Sequence, residues 1–187
     1  IPGLWDFHVH FTFDPRFTDT MAGLFLYHGI TNVRDTGGLL EDLLPVIKSL
    51  HSAGAEAPNI WYAGPLLDGK DVVYDGETFP GLGIANPTPE IARANIASIH
   101  EAGASFLKIY EMVSPEVFAA IVEEAQKRNL PVDGHVPLSM RARDVAPHVQ
   151  SLEHLRNYEM DCVSDPEWWL AIRQEVLSNP DNEPGNV

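Results

Sequence analysis

Short β-prone runs alternate with helical stretches along this chain, and that alternation confines it to folds built on a parallel sheet. The β-prone runs cover 4–9, 30–34, 59–63, 105–110, 130–135 and 150–154. Several are apolar on both faces, as strands with helices on either side must be. Helical stretches are expected over 17–28, 39–53, 89–102, 115–128, 141–148 and 166–177. Three of them open on one signal: "TPE" at 88–90, "SPE" at 114–116 and "DPE" at 165–167. Thr88, Ser114 and Asp165 can cap free amides, proline suits the first turn, and glutamate suits the positive end of the helix dipole. Gly29, Gly54 and Gly103 punctuate the helix ends. The stretch over 63–87 is too long for a simple turn and is expected to be functional or ordered by contacts.

The first run, "LWDFHVHF" at 4–11, carries two histidines. Strand alternation sends His8 and His10 to one face and Phe7, Val9 and Phe11 to the other. Two neighbouring imidazoles in an apolar run fit a shared metal ion, or core histidines satisfied by backbone groups. Further candidates fall at or near the carboxyl ends of later strands, where parallel α/β folds carry their sites. Lys108 lies inside "SFLKIY", where a free ammonium is costly to bury. It either takes part in a site or pairs with an acid such as Asp6 or Glu153. His135 follows "LPVDG", and His154 sits in "QSLEHL". Tyr110 shares the face of Lys108 and either meets substrate and a developing oxyanion or simply packs. Arg34 and Asp35 either shape a substrate pocket or form a structural ion pair. His28, His51, His100 and His148 read as surface residues, and Trp168 and Trp169 as packing residues.

Several chemistries are excluded or left without an anchor. The net charge of -15 opposes a phosphate backbone, so no nucleic-acid partner is expected. No apolar run approaches the roughly 20 residues of a membrane span. Cys162 is the only cysteine, which rules out an intrachain disulfide and a zinc knuckle. There is no Gly-x-Ser-x-Gly elbow and no His-Glu-x-x-His helix. The 187 residues suit a single domain. The chain opens on Ile-Pro-Gly rather than Met, which suggests that a native N-terminus precedes it and leaves localisation open. Six βα units are compatible with an open doubly wound sheet or with part of a (β/α)8 barrel, which needs eight strands.

Taken in order, "PGLWDFHVHF", "GITNVRDTGG", "ASFLKIY", "DGHV" and "SLEHL" resemble the metal-dependent amidohydrolase superfamily, in its imidazolonepropionase-like and prolidase-like branch. The resemblance runs from residue 1 to about 157. It implies an α/β fold: a partial (β/α)8 TIM-type barrel over 1–187, strands one to six with their helices. Strands seven and eight and the flanking β-sandwich would be missing, along with the aspartate that the family takes from strand eight.

The resemblance also implies two divalent ions, zinc with manganese, cobalt or nickel as alternatives. His8 and His10 would hold one and His135 and His154 the other. Lys108 would bridge both as a carbamate formed with carbon dioxide. A hydroxide held between the ions would attack an amide or peptide bond in a cyclic amide or a short X-Pro-type peptide. A deaminase of the superfamily would carry a glutamate shortly after the fifth-strand histidine, whereas His135 is followed by Val-Pro-Leu. Lactonase or phosphotriesterase-like chemistry on the same metals is an alternative, and so is an inert fragment that needs the missing strands. Unpaired sheet edges would favour a homo-oligomer.

Overall fold

The computed structural model describes residues 1–52 and 56–179. In chain order, β1 (Leu4–Val9) leads through α1 (Pro15–Tyr27) to β2 (Ile30–Asp35), then α2 (Leu40–Ser52) and β3 (Asn59–Tyr62). Two short strands follow, β4 (Leu66–Leu67) and β5 (Gly83–Ile84), before α3 (Pro89–Glu101) and β6 (Leu107–Ile109). The remainder is α4 (Pro115–Arg128), β7 (Val132–Gly134), the single turn α5 (Ala142–Val145), β8 (Ser151–Leu152) and α6 (Pro166–Ser178). The expected helix end at Ala53, Gly54 and the tail from Pro180 onward lie outside the described residues.

Every ladder is parallel, and the strands form two sheets, β1-β2-β3 and β5-β4-β6-β7-β8. The sheets meet where Ser105 N donates to Tyr62 O at 2.8 Å. The core joins Val33 and Leu43 to Ile96, Ile99, Leu107 and Ile121, all essentially closed to solvent. The caps act as expected: Thr88 accepts from Ile91 N, Ser114 from Val117 N and Asp165 from Trp168 N. α1 begins two residues before its expected start, because Asp14 accepts from Arg16 N and Pro15 fills the first turn.

Two expectations change. The alternation in β1 is broken by a register shift between Asp6 and Val9, a bulge of the kind that re-aims side chains. Val9 and Phe11 are buried, but Phe7 stays exposed, stacked on Trp5 with the Arg34 guanidinium over its ring. Trp168 and Trp169 do not pack into the core. They pack on each other and are 54% and 46% exposed. The 63–87 stretch is ordered by contacts, as expected, through β4, β5 and a buried carboxylate. Asp68 accepts from Gly69 N, Val73 N and Met112 N, and Asn86 Nδ2 donates to Asp68 O. Burial raises the Asp68 carboxyl to about 6 against the pull of those backbone donors. Gly69 allows this clamp, since a Cβ there would stand 1.9 Å from Met112 O.

Candidate functional site

β1 and β8 belong to different sheets, yet their carboxyl ends bring His8 and Glu153 together: His8 Nδ1 hydrogen-bonds to Glu153 Oε2. Around this link the other imidazoles converge. The His8 ring centroid lies 5.1 Å from that of His10 and 4.3 Å from that of His154, and His135 lies 5.1 Å from His154. All four line one cavity of about 420 Å³ with Lys108, Tyr110 and Arg156, walled by Phe13 and Tyr74. A larger cavity of about 620 Å³ lies between Lys70, Glu116 and Gln174, and no histidine lines it.

Each ring is aimed by its neighbour. His10 Nδ1–H donates to Gly37 O at 2.9 Å, which leaves Nε2 unprotonated in the neutral ring. Gly37 has no Cβ to spare, because one there would sit 3.1 Å from His10 Cε1 and 2.7 Å from Leu66 Cδ2. The turn is pinned by the buried Asp35, which accepts from Phe11 N at 2.7 Å and Gly37 N at 3.1 Å. Burial lifts the Asp35 carboxyl to about 7. His135 Nδ1–H donates to Glu111 Oε1 at 2.9 Å, and Arg156 in turn grips Glu111 through Nη2 to Oε2 at 3.0 Å. Burial lowers His10 to about 4 and also lowers His135 and His154, so these rings are neutral at pH 7.

Lys108 is 1% exposed, and its Nζ makes no hydrogen bond of good geometry. It stands 3.3 Å from Glu153 Oε2 as a charge partner. Burial lowers its pKa, only partly opposed by Glu153. Burial would raise Glu153, but the His8 hydrogen bond and the Lys108 charge prevail and take it down to about 2. Of the two acids weighed for Lys108 from the sequence, Glu153 is the one in contact.

Arg34 does not line the cavity of the histidines. It is bound to Asp133, lies 3.4 Å from Glu153 Oε1, and stacks 4.4 Å from the Phe106 ring centroid. Arg34 is thus in an ion pair, as weighed from the sequence, but with Asp133 and Glu153; Asp35 instead accepts from the backbone amides of Phe11 and Gly37. His28, His51, His100 and His148 are exposed, away from the cluster. Sequence reading passed over Glu111, Glu153 as a site member, and Arg156. Glu111 is two residues past the same-face position of Ile109, outside its strand, so no periodicity flags it.

Could these donors hold divalent ions? Carboxylate and imidazole atoms of His8, Glu153 and His154 all lie within 4.8 Å of one another. His10 and His135, neutral and with their Nδ1 atoms tied back, and a buried amine lacking a hydrogen bond of good geometry stand beside them in the same cavity. Among the described residues the donors that meet closely enough for one ion are thus His8, Glu153 and His154, drawn from both of the pairs expected from the sequence, and as donors they fit a divalent ion.

No protein-family model matches the chain. Among curated proteins it is similar to ochratoxinase of Aspergillus niger, 26% identical over a 232-residue alignment covering 95% of this chain and 46% of the relative. The chain thus spans about half the length of the curated relatives it matches. Among solved structures, A. niger ochratoxinase superposes with a TM-score of 0.65 at 23% identity, covering 82% of this chain and 47% of that one. A bottromycin amidohydrolase gives 0.65 at 22% identity, covering 93% and 38%. A Xaa-Pro dipeptidase gives 0.59 at 18% identity, covering 72% and 43%. The resemblance read from the sequence and the fold agree: the known proteins to which this chain is similar are amidohydrolases and prolidase-like proteins.

Proposed function

We propose that the chain carries the catalytic centre of a metal-dependent hydrolase that cleaves amide or peptide bonds. The observation that carries this reading is the convergence of His8, His10, His135 and His154 with the buried Lys108 on one cavity at strand ends. We read residues 1–187 as a single domain that forms part of a (β/α)8 barrel, a reading supported by six parallel ladders and by the similar solved structures. His8 and His10 would hold one divalent ion and His135 and His154 another, with zinc suited to imidazole and oxygen donors. When bound, the ions would supply Lewis acidity for the scissile carbonyl and activation of water.

The chain's own residues do the rest. His10 and His135 offer neutral Nε2 atoms because Gly37 O and Glu111 hold their Nδ1 protons. Tyr110 packs 4.6 Å from the His135 ring, and burial pushes its hydroxyl up. It therefore stays a protonated donor at neutral pH, able to hydrogen-bond the oxyanion that develops as the carbonyl is attacked. Phe13 and Tyr74 give the cavity an aromatic lining. A small substrate or short peptide fits its volume. Among the described residues no helix is long and apolar enough to cross a membrane.

Lys108 has two readings. As a carbamate it would contribute a bridging carboxylate. The second reading is favoured by its 3.3 Å approach to Glu153: Lys108 stays an ammonium and Glu153 supplies the carboxylate beside His8 and His154. Labelling with 13C-bicarbonate separates them, because only the first gives a carbamate carbon resonance.

The test of the whole reading is metal content by elemental mass spectrometry on protein purified without chelators, in parallel with hydrolysis of an N-acyl amino acid panel. About two divalent ions per chain, lost in His8→Ala and His135→Ala, is the expected result. Unchanged stoichiometry in both variants would overturn the assignment.

A further inference from the structure

A second cavity, of about 330 Å³, shares no lining residue with the cavity of the histidines. It lies toward the opposite end of the strands. Phe106 and Gln150 in its wall directly precede β6 and β8, whereas His135 and His154 follow β7 and β8. Trp5 of β1 and Trp61 of β3 are its largest side chains, and Arg34 and Asp133 add one cation and one anion.

The rings at its edge form an unfinished stack. Phe7 lies 5.4 Å from Trp5 with planes 16° apart, and Trp5 lies 4.7 Å from Trp61 with planes 29° apart. Phe7 and Trp5 remain 57% and 45% exposed, and Trp61 is only partly buried. Aromatic side chains bury about 150–250 Å² each when covered, so open rings stand to gain from a flat partner. Arg34 is held on the adjoining wall by Asp133 and by the Phe106 ring, whose centroid is 4.4 Å from the guanidinium carbon. Gln150 Oε1 accepts from Val132 N at 2.6 Å, which leaves the Nε2 donors of Gln150 for an acceptor on a ligand.

The charges narrow the choice of ligand. Arg34 and Asp133 match each other, so the walls ask for no net charge. A cation would meet the Arg34 guanidinium, and an anion would approach a chain of net charge -15. An apolar cavity of about 150 Å³ takes a benzene ring, and this one has about twice that volume. We propose that this cavity is a second ligand site, which takes a neutral, flat aromatic molecule of two fused rings. The ligand extends the stack of Phe7, Trp5 and Trp61 and accepts a hydrogen bond from Gln150. Its binding needs neither a metal ion nor turnover, so it stands or falls apart from the hydrolase reading.

The test is a titration with quinoline of protein labelled with 15N-tryptophan, followed by NMR at the indole N–H signals of its four tryptophans. A chelator keeps the ring nitrogen of the probe from any metal. Trp5→Phe and Trp61→Phe assign the two signals at the cavity. Trp168 and Trp169 on α6, 54% and 46% exposed, report non-specific stacking. The expected result is saturable shifts at Trp5 and Trp61 while the α6 pair stays unmoved. N-methylquinolinium, the same ring made cationic and without its acceptor, should bind roughly ten-fold more weakly or worse. Trp61→Leu should weaken quinoline binding by roughly ten-fold or more, the loss of one stacking contact. Tyr74→Leu, which alters only the histidine cavity, should leave it unchanged. Far-UV circular dichroism checks that the variants are folded, and the shifts in the unmodified protein decide the matter if Trp61→Leu is not. Equal shifts at all four indoles, none at Trp5 and Trp61, or equal binding of the two probes would each overturn the proposal. So would a loss of binding in Tyr74→Leu with none in Trp61→Leu, which would put the probe among the histidines.

Discussion

Lys108 Nζ and Glu153 Oε2 stand 3.3 Å apart, one on a core strand of the larger sheet and the other just beyond its edge strand, and both are nearly closed to solvent. The ammonium has no hydrogen bond of good geometry, so Glu153 is its main source of compensation. Glu153→Gln should therefore cost about 3–5 kcal/mol of folding stability, the range for removing one partner of a buried pair. Lys108→Met should cost less, because Glu153 keeps His8 and Arg34. Urea titrations of both variants measure this, and a cheaper Glu153→Gln would mean that the lysine is neutral in the folded chain.

Acid should destabilise the chelated protein through His10. Its pKa is about 4 when folded and about 6.5 when unfolded, so its contribution is present above pH 6.5 and is lost as pH falls toward 4. The contribution is on the order of 3 kcal/mol. Asp35 works in the opposite sense across the same range, since its raised pKa of about 7 favours the fold at low pH. The bare stability curve therefore mixes the two. The difference between the unmodified protein and His10→Gln, which can still donate to Gly37 O, isolates the histidine. A difference that does not change between pH 7 and 4.5 would contradict the assignment.

Tyr110→Phe keeps the ring against His135 and removes only the hydroxyl. If that hydroxyl meets the oxyanion, kcat should fall by roughly 10²–10³ with little change in KM. A change confined to KM would make Tyr110 a binding residue instead.

Asp68→Ala should unfasten the loop that carries Tyr74 over the cavity. Three backbone donors, on Gly69, Val73 and Met112, lose their acceptor together, at about 1–3 kcal/mol for each one that stays buried and unpaired. Amide hydrogen exchange should quicken at those three positions while the α3 and α4 amides keep their protection. Uniform acceleration across the chain would show a general loss of stability rather than a local release.

Leu155→Gly should leave stability unchanged or raise it by up to about 1 kcal/mol, because relief of a left-handed leucine outweighs the added freedom of the unfolded chain. Leu155→Val should destabilise, since a β-branched side chain suits that backbone less. Thermal unfolding distinguishes the two.

Much of this was legible in the residues. The Thr88, Ser114 and Asp165 caps with their prolines gave the starts of α3, α4 and α6, because capping is local chemistry. Asp14-Pro15 carries the same signal and could have placed the start of α1. β4 and β5 were not legible, since two-residue strands have no period to detect. Nor was the exposure of Phe7, because a bulge depends on the partner strand. The histidines and Lys108 could be singled out by residue type and by strand position. Glu111 and Arg156 could not, because they act through contacts between loops 45 positions apart.

His8 comes from one sheet and Glu153 from the region closing the other, with the cavity between them. Neither sheet contains a usable site by itself. Whatever lodges there works as a rivet, and its binding energy is shared by both halves of the molecule. A ligand present at 100 times its Kd would add about 2.7 kcal/mol to the folded state. That gain would draw the melting of the two sheets toward one sharper transition, so the breadth of the unfolding curve becomes a gauge of occupancy.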